Sequence, residues 1–464
     1  MPGFVGTTPP EWMRRRAPGL GGVCLYARNV GSPEQLAGLN ATLHELNPGL
    51  VIGIDEEGGD VTRLEAATGS SYPGNLALGA ADDVALTRAV AAAMGAELYA
   101  AGVDLDLAPD ADVNSNPANP VIGVRAFGAT PELVARHTAA WVSGLQGSGV
   151  AACVKHFPGH GATSLDSHLA LPVVEEDPHD GALLPFEAGL TAGVKAVMSA
   201  HIVVRALDSE PATISHRLMT GLLRGELGFD GLVVTDGLEM RAISDGAGIA
   251  EGAVRSLAAG CDLLCIGGGL AGEDIVDELR DAIAGAVRAG RLDEARLVDA
   301  ASRIDRLAEW RRSQKRPPAP DRTVGLMAAR KAVRHEGDVK VAREVVVVRL
   351  SSTPSQAAGV VPWGPAAPLA ERDRSVTTLE LDAAPDIESV AGTAAGKSLV
   401  VAVRNLHRHP WQQEVVEALL GRRPDAVLVE MGFPACRPAA ASAYVKTHGS
   451  ARVCGIAAAE AMTA

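Results

Sequence analysis

Five groups of polar residues in this 464-residue chain stand where short apolar runs end. Asp55-Glu56-Glu57, with Arg63 a few residues on, closes LVIGIDEE. Asp110 and Asp112, with Asn114 and Asn116, close VDLDLAPD, and the same loop runs on to Arg125. Lys155, His156 and His160 close VAACVKHF and are followed by Asp166-Ser167-His168. His201 stands at the end of a fourth run, AVMSA, and Asp236, with Glu239 nearby, follows GLVVT directly. Together these types suit glycosidic bond cleavage with retention. That reaction needs a carboxylate to attack the anomeric carbon and a second group to protonate the leaving oxygen and later activate water. Asp236 has the position of the carboxylate. Asp166 and His168 supply a histidine near neutral pKa and a carboxylate to orient it, within three residues. Asp55, Arg63, Arg125 and Lys155 offer hydrogen bonds to sugar hydroxyls, which are neutral and need no basic field.

Each group also has a plainer reading. Asp55 could cap a helix, although a cap needs one oxygen and three acids stand in a row here. His156 and His160 have the spacing of zinc ligands on a helix, but Phe157-Pro158-Gly159 between them cannot continue one. Asp166 and His168 could belong to a solvated loop, and Asp236 could be polar because a buried strand reaches water there. Gly159, Gly161 and Ala162 predict few side-chain anchors for the loop 158–168. The triplet Gly267 to Gly269 lacks the Lys-Ser or Lys-Thr of a phosphate loop, and His407 and His409 read as a surface loop before a helix.

The elements that would position these residues follow from the rhythm of the chain. Up to about residue 310, β-rich runs alternate with Ala/Leu-rich segments of helical period, as in parallel βα units whose strands are buried on both faces. The runs at 21–28, 50–57, 103–110, 150–157, 196–204, 231–238 and 261–268 make seven strands. A closed barrel has eight, and only MPGF stands in the place of the first. The fold class is therefore α/β, a (β/α)8 TIM-type barrel with its first strand clipped or degenerate, over residues 1–315. Such barrels build their active sites at the C-terminal ends of the strands, where the five polar groups fall. A Pro- and charge-rich linker is expected at 316–340, and a smaller αβα sandwich at 341–464, with strands at 344–350, 375–381, 397–405 and 425–433.

Composition excludes other classes. Lys and Arg number 42 against 56 Asp and Glu, a net charge of −14, so the chain lacks the basic field that nucleic-acid binding needs. The six cysteines are scattered, four of them in apolar runs, and read as buried thiols of a reducing compartment. No signal-like segment and no apolar stretch of membrane-spanning length is visible. A cytoplasmic protein with a small-molecule partner, no nucleic acid and no membrane is expected. No cofactor is expected, and the oligomeric state is left open.

IDEEGGDVTRL, NPVIGVRAFG, KHFPGHGATSLDSH and VVTDGLEM, in this order, resemble glycoside hydrolase family 3, and within it the bacterial β-N-acetylglucosaminidase (β-N-acetylhexosaminidase) type. The KHFPGHG…DSH element is the most specific and resembles the catalytic loop of that subgroup. The resemblance runs from about Gly3 through the barrel, and the second domain is similar to the family's αβα sandwich. It implies Asp236 as nucleophile, His168 as general acid/base and Asp166 as its partner. It implies Asp55, Arg63, Lys155 and His156 as ligands of the non-reducing sugar, with Arg125 a further contact and no metal. Ala162 stands where the family shows Asp and Ala126 where it shows Ser, and both changes leave these groups in place. The implied activity is exo-acting removal of terminal β-linked N-acetylglucosamine through a covalent glycosyl-enzyme, in the family often for muropeptide recycling. Alternatives are a phosphorylase on the same site, a metal-dependent barrel hydrolase using His156, His160, His168 and nearby Asp as ligands, and a non-catalytic sugar-binding protein. A hexosaminidase that uses the substrate's acetamido oxygen would account for Glu56-Glu57.

Overall fold

The computed structural model describes residues 1–269, 272–351, 353, 355 and 357–464. They form two compact units: Met1–Glu57, Thr87–Ile122 and Ala129–Asp321 in the first, and Gly58–Leu86, Gly123–Gly128 and Arg322–Ala464 in the second.

In the first unit, Gly22–Leu25 (β1), Val51–Ile54 (β2), Leu105–Asp106 (β3), Ala151–Phe157 (β4), Ala196–Ser199 (β5) and Leu232–Thr235 (β6) pair in parallel in that order. Every residue of these strands is buried, which explains why they read as continuous apolar runs and not as alternating ones. Beyond β6, bridges join Val234 to Leu263 and Ile266 to Pro2, and the Cys24 N–H donates to the Pro2 carbonyl at 3.1 Å. The ring thus returns to β1 as a TIM-type barrel, with Met1–Gly3 as its degenerate first strand.

The run 261–268 differs from the expected strand and holds only these isolated bridges. Side chains take over part of its ladder: the Asp262 carboxylate accepts the Val233 N–H at 2.8 Å, and the Thr235 hydroxyl accepts the Cys265 N–H at 2.9 Å. Alternate residues along the barrel, among them Cys24, Val51, Leu105, Cys153, Met198 and Val234, meet in one buried cluster. Helices return the chain between strands. Pro131–Gly147 opens with proline, whose missing N–H costs nothing in a first turn, and buries Val134, Trp141, Val142 and Leu145.

The second unit carries a sheet of Arg334–Glu336 (β7), Glu344–Leu350 (β8), Ser375–Leu381 (β9), Ser398–Val403 (β10), Val427–Glu430 (β11) and Ala443–Lys446 (β12). The order is β9-β8-β10-β11-β12-β7, parallel except for β7. Val345 and Val347 enter one cluster with the C-terminal helix Arg452–Thr463, and Val346 and Val348 enter another with the helix Pro410–Arg422. Two covered faces make this an αβα sandwich. The segment 316–340, expected as a linker, contains the helix Thr323–Ala332 and β7. That helix forms because Val324, Ala328, Ala329 and Ala332 recur at helical spacing and are buried. Segments 58–86 and 123–128, which the sequence places within the barrel region, group with the second unit.

Candidate active site

The end of β2 and the buried interior of β4 bring the first charges together. Lys155 Nζ lies 2.7 Å from Asp55 Oδ1 and 2.7 Å from Glu57 Oε1, and its side chain is only 2% exposed. An ammonium buried between two carboxylates is fixed in place, and removing it strands their charge. Just below, Asp106 at the end of β3 accepts the Glu56 N–H at 2.9 Å, and burial pushes its carboxyl well above the usual range. Lys155→Met is expected to cost on the order of 3 kcal/mol of stability, read as a lowered urea midpoint. An unchanged midpoint would contradict this ionic anchor.

The loop after β3 orients the histidines that follow β4. The Ala111 N–H donates to the Lys155 carbonyl at 2.6 Å, so Asp112 is held against the end of β4. Asp112 Oδ2 lies 2.8 Å from His156 Nδ1, and its Oδ1 accepts the His160 N–H at 2.6 Å. The sequence places Asp112 in a strand-end group without a role of its own; here it is the carboxylate that sets the His156 ring. Among the described residues, the ligand atoms of Asp110, Asp112 and His156 lie within 4.8 Å of one another, close enough to hold a cation. Of the metal alternative's ligands this set includes His156 and nearby Asp but neither His160 nor His168. His160 has Thr163 Oγ1 at 2.7 Å and Ser167 Oγ at 3.1 Å, and His168 Nδ1 faces Asp166.

Burial lowers His160 to about 4, against the field of Asp112. An unfolded histidine titrates near 6.5, so between these values the unfolded chain takes up a proton that the folded protein refuses. Stability contributed by neutral His160 is complete above that window and lost as pH falls through it. A His160→Asn variant is expected to show a shallower fall of urea midpoint from pH 7 to 4.5 than the wild type. Parallel slopes would show that His160 does not control it.

The loop 158–168 is fastened more firmly than its glycines predict. Asn119 Nδ2 donates to the carbonyls of His160 and Gly161 at 2.9 and 3.1 Å. A Cβ at Gly161 would sit 1.9 Å from the Val113 carbonyl oxygen, so only glycine lets the two backbones meet. Beyond this base Ser164 and Leu165 are exposed, and the chain then turns inward to the dyad. His168 Nδ1 lies 2.7 Å from Asp166 Oδ1, which also accepts the His168 N–H at 2.9 Å. Burial opposes ionisation of Asp166, but these two hydrogen bonds outweigh it and hold the carboxyl below its ordinary value.

Asp236 follows β6. Its N–H donates to the Ser199 carbonyl at 3.3 Å, and its Oδ1 accepts the Gly237 N–H at 2.8 Å. Burial works against its charge, yet the fields of His156, His201 and His168 prevail and hold it well below the usual carboxylate range. The barrel unit therefore brings an ionised Asp236 within electrostatic reach of His156, His201 and the His168–Asp166 dyad. Asp236 and Asp55 both act on the buried Cys153 thiol beside Lys155. Arg63 and Arg125 fall in the second unit. Arg63 Nη2 donates there to the Ala357 carbonyl at 2.8 Å, and the Arg125 carbonyl accepts from Asn75 Nδ2 at 2.7 Å.

Residues 11–307 match the glycosyl hydrolase family 3 N terminal domain. A solved family 3 β-N-acetylglucosaminidase from Paenibacillus sp. FPU-7 superposes with a TM-score of 0.90 at 33% identity, over 100% of this chain and 94% of that one. A β-hexosaminidase of Alkalilimnicola ehrlichii is 41% identical over 54% of this chain and 74% of its own length. β-Hexosaminidase A of Pseudoalteromonas piscicida is 38% identical over 53% of this chain and 45% of its own, so the match spans about half that relative. The chain belongs to glycoside hydrolase family 3.

Proposed function

We propose that this glycoside hydrolase removes terminal β-linked N-acetylglucosamine by a retaining, two-step route. The observation that carries this reading is the setting of Asp236, a strand-end carboxylate kept ionised among three histidines, one of which is paired to Asp166. Asp236 attacks the anomeric carbon while imidazolium His168 gives its proton to the departing oxygen, leaving a glycosyl ester and a neutral imidazole. His168 then takes a proton from water as that water attacks the anomeric carbon and the bond from that carbon to the Asp236 oxygen breaks, which restores both groups and releases the sugar with its β configuration. Asp166 fixes the ring and stabilises the imidazolium. Asp55, Lys155 and His156 bind the hydroxyls of the non-reducing sugar. Corresponding roles for Arg63 and Arg125 are proposed with them and rest on the family resemblance alone, as does a part in muropeptide recycling; a cytoplasmic location is proposed from the scattered, mostly buried cysteines.

The test is turnover of an aryl N-acetyl-β-glucosaminide with the anomer of the first-formed sugar followed by NMR, with and without phosphate. Release of β-N-acetylglucosamine in both conditions is the expected result. An α product would overturn retention, and a sugar phosphate formed only with phosphate present would replace water by phosphate as the acceptor.

A further inference from the structure

His201 is the strand-end histidine to which neither the dyad nor the sugar contacts assign a role. It follows β5 and is fully buried. Its Nε2 lies 2.9 Å from the Gly237 carbonyl oxygen, and its Nδ1 lies 2.7 Å from Thr213 Oγ1. A carbonyl only accepts, so Nε2 carries a hydrogen in either protonation state of the ring. Thr213 is itself tied to β5, through Ser199 Oγ at 2.9 Å and the Ala200 carbonyl at 2.9 Å. The carbonyl that accepts the His201 hydrogen bond belongs to the residue after Asp236. Gly237 donates its N–H to Asp236 Oδ1 and offers its carbonyl to His201, while the Asp236 N–H is held by the Ser199 carbonyl.

We infer that His201 is a positioning residue for Asp236: by holding the Gly237 carbonyl, it restrains the glycine whose N–H aims the attacking carboxylate. The inference rests on Asp236 being the nucleophile. Physically, β6 ends at Thr235, so Asp236 leaves the sheet with one ladder-like bond on its N–H side. On the far side the next residue is glycine, the least restrained backbone. The carbonyl of that glycine accepts the Met240 N–H at 3.0 Å within its own turn, and His201 ties this turn to the end of β5, which removes the freedom through which the carboxylate could move away from the line of attack. A misplacement of about 1 Å in a reacting group can cost roughly 10²-fold in rate. Through its ring the anchor also couples the ends of β5 and β6, two strands that already pair from Ala196–Leu232 to Ser199–Thr235.

The experiment compares His201→Leu and His201→Gln with the wild type. A glutamine amide reaches the place of Nε2 and can donate to the Gly237 carbonyl, whereas leucine cannot. The readouts are kcat/KM per titrated active site, the rate at which a 5-fluoro N-acetylglucosaminyl reagent labels Asp236, and the Kd of N-acetylglucosamine. The leucine variant is expected to lose about 10- to 100-fold in kcat/KM and in labelling rate, with little change in Kd. The glutamine variant should recover most of that loss. A role in stability alone would lower the melting temperature and leave the rate per active site unchanged. Should the leucine variant not fold, His201→Asn replaces it, since its shorter amide reaches toward Thr213 and stops short of Gly237. Labelling at the wild-type rate in the Leu or Asn variant, or a Gln variant no better than either, overturns the inference. Wild-type enzyme labelled on another carboxylate overturns the nucleophile assignment instead, which keeps the two failures distinct.

Discussion

Asp236→Asn is expected to fold, to bind N-acetylglucosamine, and to turn over roughly 10³-fold or more slowly than the wild type, the scale at which loss of a nucleophile acts. The amide nearly keeps the shape of the carboxylate, and the Gly237 N–H still finds an acceptor at Oδ1. What disappears is the charge. That charge sits in the fields of His156, His201 and His168, and on the proposed route it is also the group that attacks carbon. Mass spectrometry of the peptide holding Thr235 to Met240 after reaction with a fluoro-glycosyl reagent should show one sugar on Asp236 in the wild type and none in the variant. Near-normal turnover in the variant, or a label elsewhere, would remove Asp236 from the mechanism and favour the substrate's own acetamido oxygen.

The order of the strands and the gathering of polar residues at their ends are legible because parallel strands buried on both faces are apolar throughout, so their polar ends stand out against them. LVIGIDEE, VAACVKHF and GLVVTDGL each switch character where the barrel rim begins, and the structure puts Lys155 beside Asp55 and the field of His156 on Asp236 accordingly. Periodicity failed where side chains take over backbone bonding. Asp262 and Thr235 satisfy amides that a regular strand at 261–268 would have paired, and no spacing rule reveals that exchange. The anchoring of the loop 158–168 is hidden for a related reason: Asn119, some 40 residues upstream, binds two carbonyls of the His160-Gly161 turn. Glycines in that turn signal flexibility when read alone. In the fold, Gly161 marks a close approach to Val113 that holds the loop base in place. Likewise, nothing in the composition of 58–86 shows that this segment groups with the sandwich, which is where Arg63 is found.

The dyad carries the second large effect, and its signature lies in the leaving group. His168→Ala removes the proton donor, so substrates whose leaving oxygen is strongly basic, such as alkyl or disaccharide aglycones, should slow by roughly 10²- to 10⁴-fold. A dinitrophenyl leaving group needs little protonation, and its first step should survive nearly intact, leaving hydrolysis of the glycosyl-enzyme slow and rate-limiting. Burst kinetics with such a substrate would make that visible. Asp166→Asn keeps an acceptor for His168 Nδ1 but withdraws the negative charge 2.7 Å away that stabilises the imidazolium. Its loss should therefore be smaller, in the same direction and on the same substrates. Because Asp166 works only through His168, the double variant should be no slower than His168→Ala alone. Additive losses would mean that Asp166 touches the reaction independently, and equal losses on good and poor leaving groups would show that His168 is not the acid.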